Sequence, residues 1–393
     1  MIRTFRYKLY RSKRTRHLER QLETAREVWN RCLALHRRYY KFTGKYLHKF
    51  RLQKQITKWK NRERFGHWYG LGNQAIQEIT ERIDKGYKAF FKGDLKRPPK
   101  FRGRFRQKSF TLKTAGWGFC GNRRIRIGDK TYRFHESREV LGRPKTITIK
   151  KDSVGDWWIT VCSDVETEFE PIPKSGRSAG FDFGLKTFLT GSDGEKIQSP
   201  QFLKRELAAL RRRSRLHSRK QKGSRNRNRS RIDLARLHRS IADRRNDWQW
   251  KTARRLVEQY DLLCFEDLQM SGMQKLWGRK VNDLAFPEFL HKLQWLAQKT
   301  GKSVVKIDRW APTSKKCGTC GELNPDLKLR DRSWKCPHCG AILDRDLNAA
   351  KNIFEIGVAD FDGFGHEPAE EVVSDTDCFA VRASTSDAGI PRL

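Results

Sequence analysis

Cys317, Cys320, Cys336 and Cys339 form a C-x2-C-x15-C-x2-C array. This spacing constrains the chain more than any other feature, because each C-x2-C turn aims two sulfurs at one point. Four thiolates so arranged close a tetrahedral shell around one zinc ion, which makes the site structural rather than catalytic. His338 lies inside the second turn and reads as surface, since four sulfurs already fill the shell. The other five cysteines (Cys32, Cys120, Cys162, Cys264 and Cys378) follow no pairing pattern. Reduced thiols and one metal site are expected, not a disulfide framework.

The partner is indicated by charge. The 393 residues carry a formal net charge of +40. Such an excess calls for a polyanion, either nucleic acid or an anionic membrane. No run of about 18 apolar residues offers a membrane span. The N-terminal MIRTFRYKLYRSKRTR lacks the apolar stretch of a signal peptide. A cytoplasmic protein associated with nucleic acid is therefore expected, with no membrane partner. The charge reverses at the C-terminus, where nine acids from Glu355 onward face only Arg382 and Arg392. That segment has no apolar periodicity and is expected to be disordered.

Ile2 to Tyr10 alternate as a strand does. Leu18, Leu22, Ala25, Trp29, Cys32 and Leu35 then recur at helical spacing, as do Ile76, Ile79, Ile83, Tyr87 and Phe90. The Lys96-Arg97-Pro98-Pro99-Lys100 segment breaks the pattern. Phe101-Arg102-Gly103-Arg104-Phe105-Arg106 follows, offering phosphate contacts through Arg102 and Arg104 beside stacking surfaces. Short β-branched runs at Ser109–Leu112, Ile125–Ile127, Thr146–Ile149 and Trp157–Cys162 suggest antiparallel strands in a small barrel. Residues 171–178 read as a linker.

A different texture begins at Ala179. Ala179–Gly184 is an apolar strand holding one acid, Asp182, and it reads as half of a hairpin with the turn at 191–194. Lys204–Arg231 holds thirteen Lys or Arg against Glu206 alone, spread over two expected helices interrupted at Gly223-Ser224. Arg211, Arg212, Arg213, Arg215, Arg219, Lys220, Arg225 and Arg227 are its candidate phosphate contacts. Asp261–Asp267 is a further strand ending in acids, Val304–Ile307 another, with a helix around Phe286–Gln298 between them. Strands alternating with helices from residue 179 onward define an α/β domain.

Asp182, Glu266 and Asp346 each sit at the edge of an apolar element, far apart in sequence. Converging carboxylates of this kind can hold two divalent cations for phosphodiester cleavage, and magnesium takes such oxygen ligands. Spacing alone leaves alternatives open. Asp182 could form a turn, Asp346 could cap a helix, and Asp267 and Asp344 compete for the two later roles.

Five blocks resemble the TnpB family of transposon-associated proteins, relatives of the type V CRISPR effectors. They are Gly180–Gly184, Phe265-Glu266-Asp267-Leu268, Ala311–Gly321, Cys336–Gly340 and Asp344–Ile353, in matching order and spacing. One departure is Phe181, which stands where the family usually has an aliphatic residue.

The resemblance implies an α/β multidomain fold. A RuvC-like nuclease domain of RNase H fold would span 179–312 and 341–356, with a zinc ribbon inserted at 313–340. A strand-rich, β-barrel-like wedge module at 1–12 and 96–172 would precede it, carrying a helical recognition module at 13–95. An acidic disordered tail at 357–393 would complete the chain. The resemblance also makes Asp182, Glu266 and Asp346 the catalytic acids for two Mg2+, selecting Asp346 over Asp344, and makes the cysteines a structural Zn2+ site. The implied activity is RNA-guided cleavage of double-stranded DNA beside a short motif, by a monomer bound to its guide RNA. Two other readings are a nucleic-acid-binding regulator with unused acids and a transposase that transfers DNA strands.

Overall fold

The computed structural model describes residues 2–104, 106–166, 171–328 and 330–363. The expected tail beyond residue 363 lies outside them. The chain divides into two compact units, the first ending at residue 167.

The first unit is a sheet with helices inserted after its first strand. Its elements are β1 (Ile2–Leu9), α1 (Thr15–Thr43), α2 (Lys49–Lys60), a 3-10 segment (Glu63–Leu71), α3 (Asn73–Phe91), β2 (Ser109–Leu112), β3 (Trp117–Phe119), β4 (Arg124–Ile127), β5 (Lys130–His135), β6 (Arg143–Lys151) and β7 (Trp157–Asp164). Period-two alternation in β1 buries Phe5, Tyr7 and Leu9 on one face. The α1 stripe buries Leu18, Leu22, Ala25, Trp29 and Cys32, joined by Leu33 and His36, while Leu35 packs only partly. The sheet is antiparallel, in the order β2-β6-β7-β1-β5-β4-β3. Closure into a barrel would need β2 to pair with β3, and these strands are the two edges. The expectation missed α2, the 3-10 segment, β3 and β5, which are short or broken by charged residues.

The second unit holds β8 (Ser178–Phe183), β9 (Thr187–Gly191), β10 (Lys196–Gln198), α4 (Phe202–Ser218), α5 (Arg225–Gln259), β11 (Leu262–Glu266), α6 (Met270–Leu284), α7 (Phe286–Thr300), β12 (Ser303–Ile307), β13 (Ser333–Lys335), β14 (Ile342–Asp344) and α8 (Arg345–Gly363). Its main sheet runs β10-β9-β8-β11-β12. β8, β9 and β10 are antiparallel neighbours, whereas β11 runs parallel to both β8 and β12. The Gly191-Ser192-Asp193-Gly194 turn joins β9 to β10, so Asp182 lies one hairpin earlier than that turn suggested. α8 continues to Gly363, which makes residues 357–363 helix and not tail.

The sheet's two faces differ in what covers them. Phe181 and Phe265 sit side by side in register and stack at 5.3 Å. They face a core with Phe188, Leu256, Phe286, Phe289 and Leu293 from β9, α5 and α7. The alternate residues, Gly180 and Asp182 on β8 and Cys264 and Glu266 on β11, face α8. The fit there is tight. A methyl at Gly180 would fall on the Ala350 carbonyl and within 2.5 Å of the Phe354 nitrogen. A methyl at Gly357 would lie 2.5 Å from the Cys264 sulfur. Both glycines let helix and sheet backbones approach closely, which brings the start of α8 to the acid-bearing strand ends.

Candidate active site and metal centre

Asp182 is the penultimate residue of β8 and Glu266 the last of β11. Because Phe265 pairs with Phe181, the parallel register sets Glu266 level with Asp182 on the α8 face. Asp346 lies in the first turn of α8. The capping role goes to its neighbour. The Leu347 backbone N–H donates to Asp344 Oδ1 at 3.0 Å, and Lys196 pairs with the same carboxylate at 3.1 Å. Asp267 is likewise engaged, in an ion pair with Arg309. The two competing acids thus hold local structure, while Asp346 lines a cleft of about 190 Å3 with Gly184, Leu185, Lys186, Thr187 and Arg332. Arg332 contacts Asp346 at 3.3 Å. Sequence reasoning missed Arg332, an ordinary basic residue in a strongly basic chain.

The electrostatics record the convergence. Burial, then the Asp346 charge, then the Glu266 charge push the Asp182 carboxyl up to about 7, while Arg345 and the Phe183 backbone N–H pull the other way. Burial and the Asp267 charge raise Glu266 as well. Three hard oxygen donors, two of which bear on the buried Asp182 carboxyl, suit a divalent cation such as Mg2+. Even so, among the described residues the carboxylates are not drawn into a cluster as close as that of the sulfurs.

The four sulfurs lie within 4.8 Å of one another. Cys317 to Cys339 and Cys320 to Cys336 are each 3.7 Å apart. A tetrahedron with metal–sulfur bonds of about 2.3 Å has edges of about 3.8 Å, so the cluster has the dimensions of an S4 metal site. Burial pushes the Cys317 thiol up, but backbone N–H groups of Cys320 and Thr319 outweigh it and bring it down to about 6. The amides of Cys339 and His338 do the same for Cys336. His338 is exposed.

Two asparagines tie this cluster to α8. Gly318 N–H donates to Asn348 Oδ1 at 2.8 Å, and Asn348 Nδ2 donates to the Lys316 carbonyl at 2.7 Å. One turn on, Asn352 Nδ2 donates to the Thr313 and Lys316 carbonyls, both at 2.7 Å. The i, i+4 spacing puts both amides on one side of the helix. This is a physical reason for the Asp346-Leu347-Asn348-Ala349-Ala350-Lys351-Asn352 pattern: the segment that bears an acid also clasps the cysteine loop.

The candidate phosphate contacts divide. Arg211, Arg212, Arg215, Arg219 and Arg225 are exposed on the α4–α5 hairpin and its connector, and Lys220 is half-buried. Arg213 donates to the Asp233 carbonyl at 3.2 Å. Arg227 donates to the carbonyls of His217, Ser218 and Lys220, closing the end of α4, while Ser224 caps α5. In the first unit, Arg102 lies 3.4 Å over the Trp29 ring and donates to Gln107. Arg102 and Arg227 are thus engaged with their own fold. Arg104 is exposed.

Comparisons with known proteins agree with this layout. Residues 160–276 match the family OrfB_IS605, described as "Probable transposase". Residues 286–353 match "Cas12f1-like, TNB domain", the stretch that contains all four cysteines and Asp346. A protein of Streptomyces pristinaespiralis named an RNA-guided DNA endonuclease is 31% identical over 100% of this chain and 98% of its own length. The Escherichia coli K12 RNA-guided DNA endonuclease InsQ is 27% identical over 85% of this chain and 87% of its own. Among solved structures, the Cas12f1 chain of a Cas12f1–sgRNA–target DNA complex superposes with a TM-score of 0.54. It is 15% identical, with 87% of this chain and 83% of that one covered, which is a likeness of fold. The chain belongs to the TnpB family of RNA-guided DNA endonucleases.

Proposed function

We propose that this chain is a magnesium-dependent, RNA-guided DNA endonuclease whose second unit is a RuvC-like domain of RNase H fold with an inserted zinc ribbon. The observation that carries the proposal is the pressure on Asp182, raised to about 7 by burial and then by the charges of Asp346 and Glu266. Helix-capping or turn-forming acids do not need to repel one another, whereas cation ligands do. The strand order β10-β9-β8-β11-β12, with parallel β11 and β12, supports the RNase H reading.

Asp182, Glu266 and Asp346 would hold two Mg2+ ions, which supply an activated water and stabilise the leaving oxygen in phosphodiester hydrolysis. Asp182 must give up its proton before it binds a cation, and burial together with the neighbouring acids raises the pH at which it does. Arg332, beside Asp346, offers a guanidinium to a phosphate entering the cleft. The cysteines would hold one Zn2+, and Asn348 and Asn352 transmit that order to α8. The exposed arginines of α4 and α5 would follow an RNA or heteroduplex backbone. Residues 1–12 and 96–172 would act as the wedge module and 13–95 as the recognition module. Base pairing with the guide, and not side-chain contacts, would then select the target.

The test is to purify the protein from cells that carry its flanking DNA, sequence the bound RNA, and assay a matched double-stranded target. A discrete RNA that directs a Mg2+-dependent double-strand break is the expected result. Random RNA fragments and no guided break would overturn the proposal.

A further inference from the structure

An exposed tryptophan stands beside the acid-bearing end of the sheet. Trp310 is 79% exposed, more than any other large hydrophobic side chain among the described residues. Its ring has no aromatic or cationic partner among those residues, unlike the exposed Phe50 and Phe101, which sit under Lys49 and Arg37.

Its backbone is fastened. Ile307, the last residue of β12, pairs with Glu266, and the Asp267 backbone N–H donates to the Ile307 carbonyl at 3.4 Å. Arg309 forms an ion pair with Asp267, the residue after Glu266. Trp310 N–H donates to Asp308 Oδ1 at 3.3 Å. Three residues on, the Thr313 carbonyl accepts from Asn352 of α8. The loop that carries Trp310 is therefore tied to β11 on one side and to α8 on the other. These are the elements that carry Glu266 and Asp346.

An exposed tryptophan loses hydrophobic stabilisation, so its position next to a polyanion-cleaving site favours a ligand with a flat, unpaired π-face. Guide pairing with one DNA strand displaces the other, and where a strand is single its bases are open to stacking. We infer that Trp310 is a nucleobase-stacking platform that holds the cleaved DNA strand a few nucleotides from the scissile phosphate. The inference rests on the proposed function and adds a positioning residue for the strand. It involves no sequence readout, since every base has a π-face.

The experiment is an abasic scan. Targets carrying one abasic nucleotide at successive positions near the cut are cleaved by the wild-type, W310A, W310L and W310F ribonucleoproteins. Zinc content and melting temperature serve as folding controls. The wild-type protein should slow on the order of tenfold at one abasic position. W310A and W310L should be slower on the intact target by the same factor and insensitive to that abasic position. W310F should restore both rate and sensitivity. Equal abasic profiles in wild type and W310A, or full rescue by W310L, would overturn the inference and indicate a packing or protein-docking role. The proposed function fails separately, by the absence of guided cleavage from the wild-type protein.

Discussion

Four sulfurs and three carboxylates converge from separate segments of the second unit, and their electrostatics differ. The sulfurs are 3.7 Å apart in pairs, with backbone N–H groups of the C-x2-C turns directed at them. The carboxylates are less tightly gathered, and burial with the charges of Asp346 and Glu266 raises the proton affinity of Asp182. Sulfurs with built-in N–H donors can approach before a metal binds, because those donors offset the charge of a thiolate. Carboxylates that meet without a cation suffer Coulomb repulsion. The first arrangement suits a site that holds a fold together, and the second, under the proposed function, is one that a cation would neutralise.

Removing a sulfur should have the largest structural effect. Cys336→Ser should lower zinc from one ion per chain to nearly none by elemental analysis, and hydrogen exchange should show the Cys317–Cys339 segment opening. Metal binding to such sites contributes on the order of 10 kcal/mol to folding. An unchanged zinc content would break the contrast between the two sites.

Removing an acid should do the opposite. The Asp182 carboxyl is raised to about 7, above its ordinary value of about 4, so its ionisation opposes folding. The metal-free protein should lose stability as pH rises from about 4 through about 7. Asp182→Asn should flatten that slope and raise the melting temperature at pH 8 by a few degrees. A lower melting temperature for the variant would show that the Asp182 carboxylate is not under this pressure.

Gly180→Ala tests the packing that brings the acids together. The added methyl must push α8 off β8, and overpacking of this kind costs about 1–3 kcal/mol. Cleavage should fall further than stability, because Asp346 moves with the helix. An ordinary melting temperature with full cleavage would contradict the close approach.

An ion pair remote from the acids serves as a control. Asp261 is held at about 2 despite burial, through Lys302 and the N–H groups of Ser175 and Gly176. Its contribution is present above about pH 4 and is lost as pH falls toward 2, the reverse of the Asp182 trend. Lys302→Met should cost about 3 kcal/mol and weaken that acid-limb dependence in denaturant melts, the Ser175 and Gly176 N–H groups keeping part of it, and leave the Asp182 slope in place. The smallest effect is expected from Arg215→Ala, a lowering of the salt slope of RNA binding by about 1.

The cysteine array was legible because two C-x2-C turns at this separation have one common use, a tetrahedral metal shell. The acids were legible as candidates, and the resemblance selected among them. The capping hydrogen bond that engages Asp344 was not readable, because Asp344 and Asp346 look alike in a linear string. The long helices and core strands were readable from apolar period. β3 and α6 were not, since short or charge-interrupted segments carry little periodic signal. Arg102 and Arg227 show why composition overstates a nucleic-acid surface: both guanidiniums are engaged within their own fold.

The most direct test loads wild-type protein and Asp182→Asn with the same guide RNA and supplies a matched double-stranded target in Mg2+. The account predicts equal target binding, a double-strand break by the wild type, and cleavage at least about a thousandfold slower in the variant. Cleavage by Asp182→Asn at the wild-type rate would show that the acids facing α8 are not the catalytic centre.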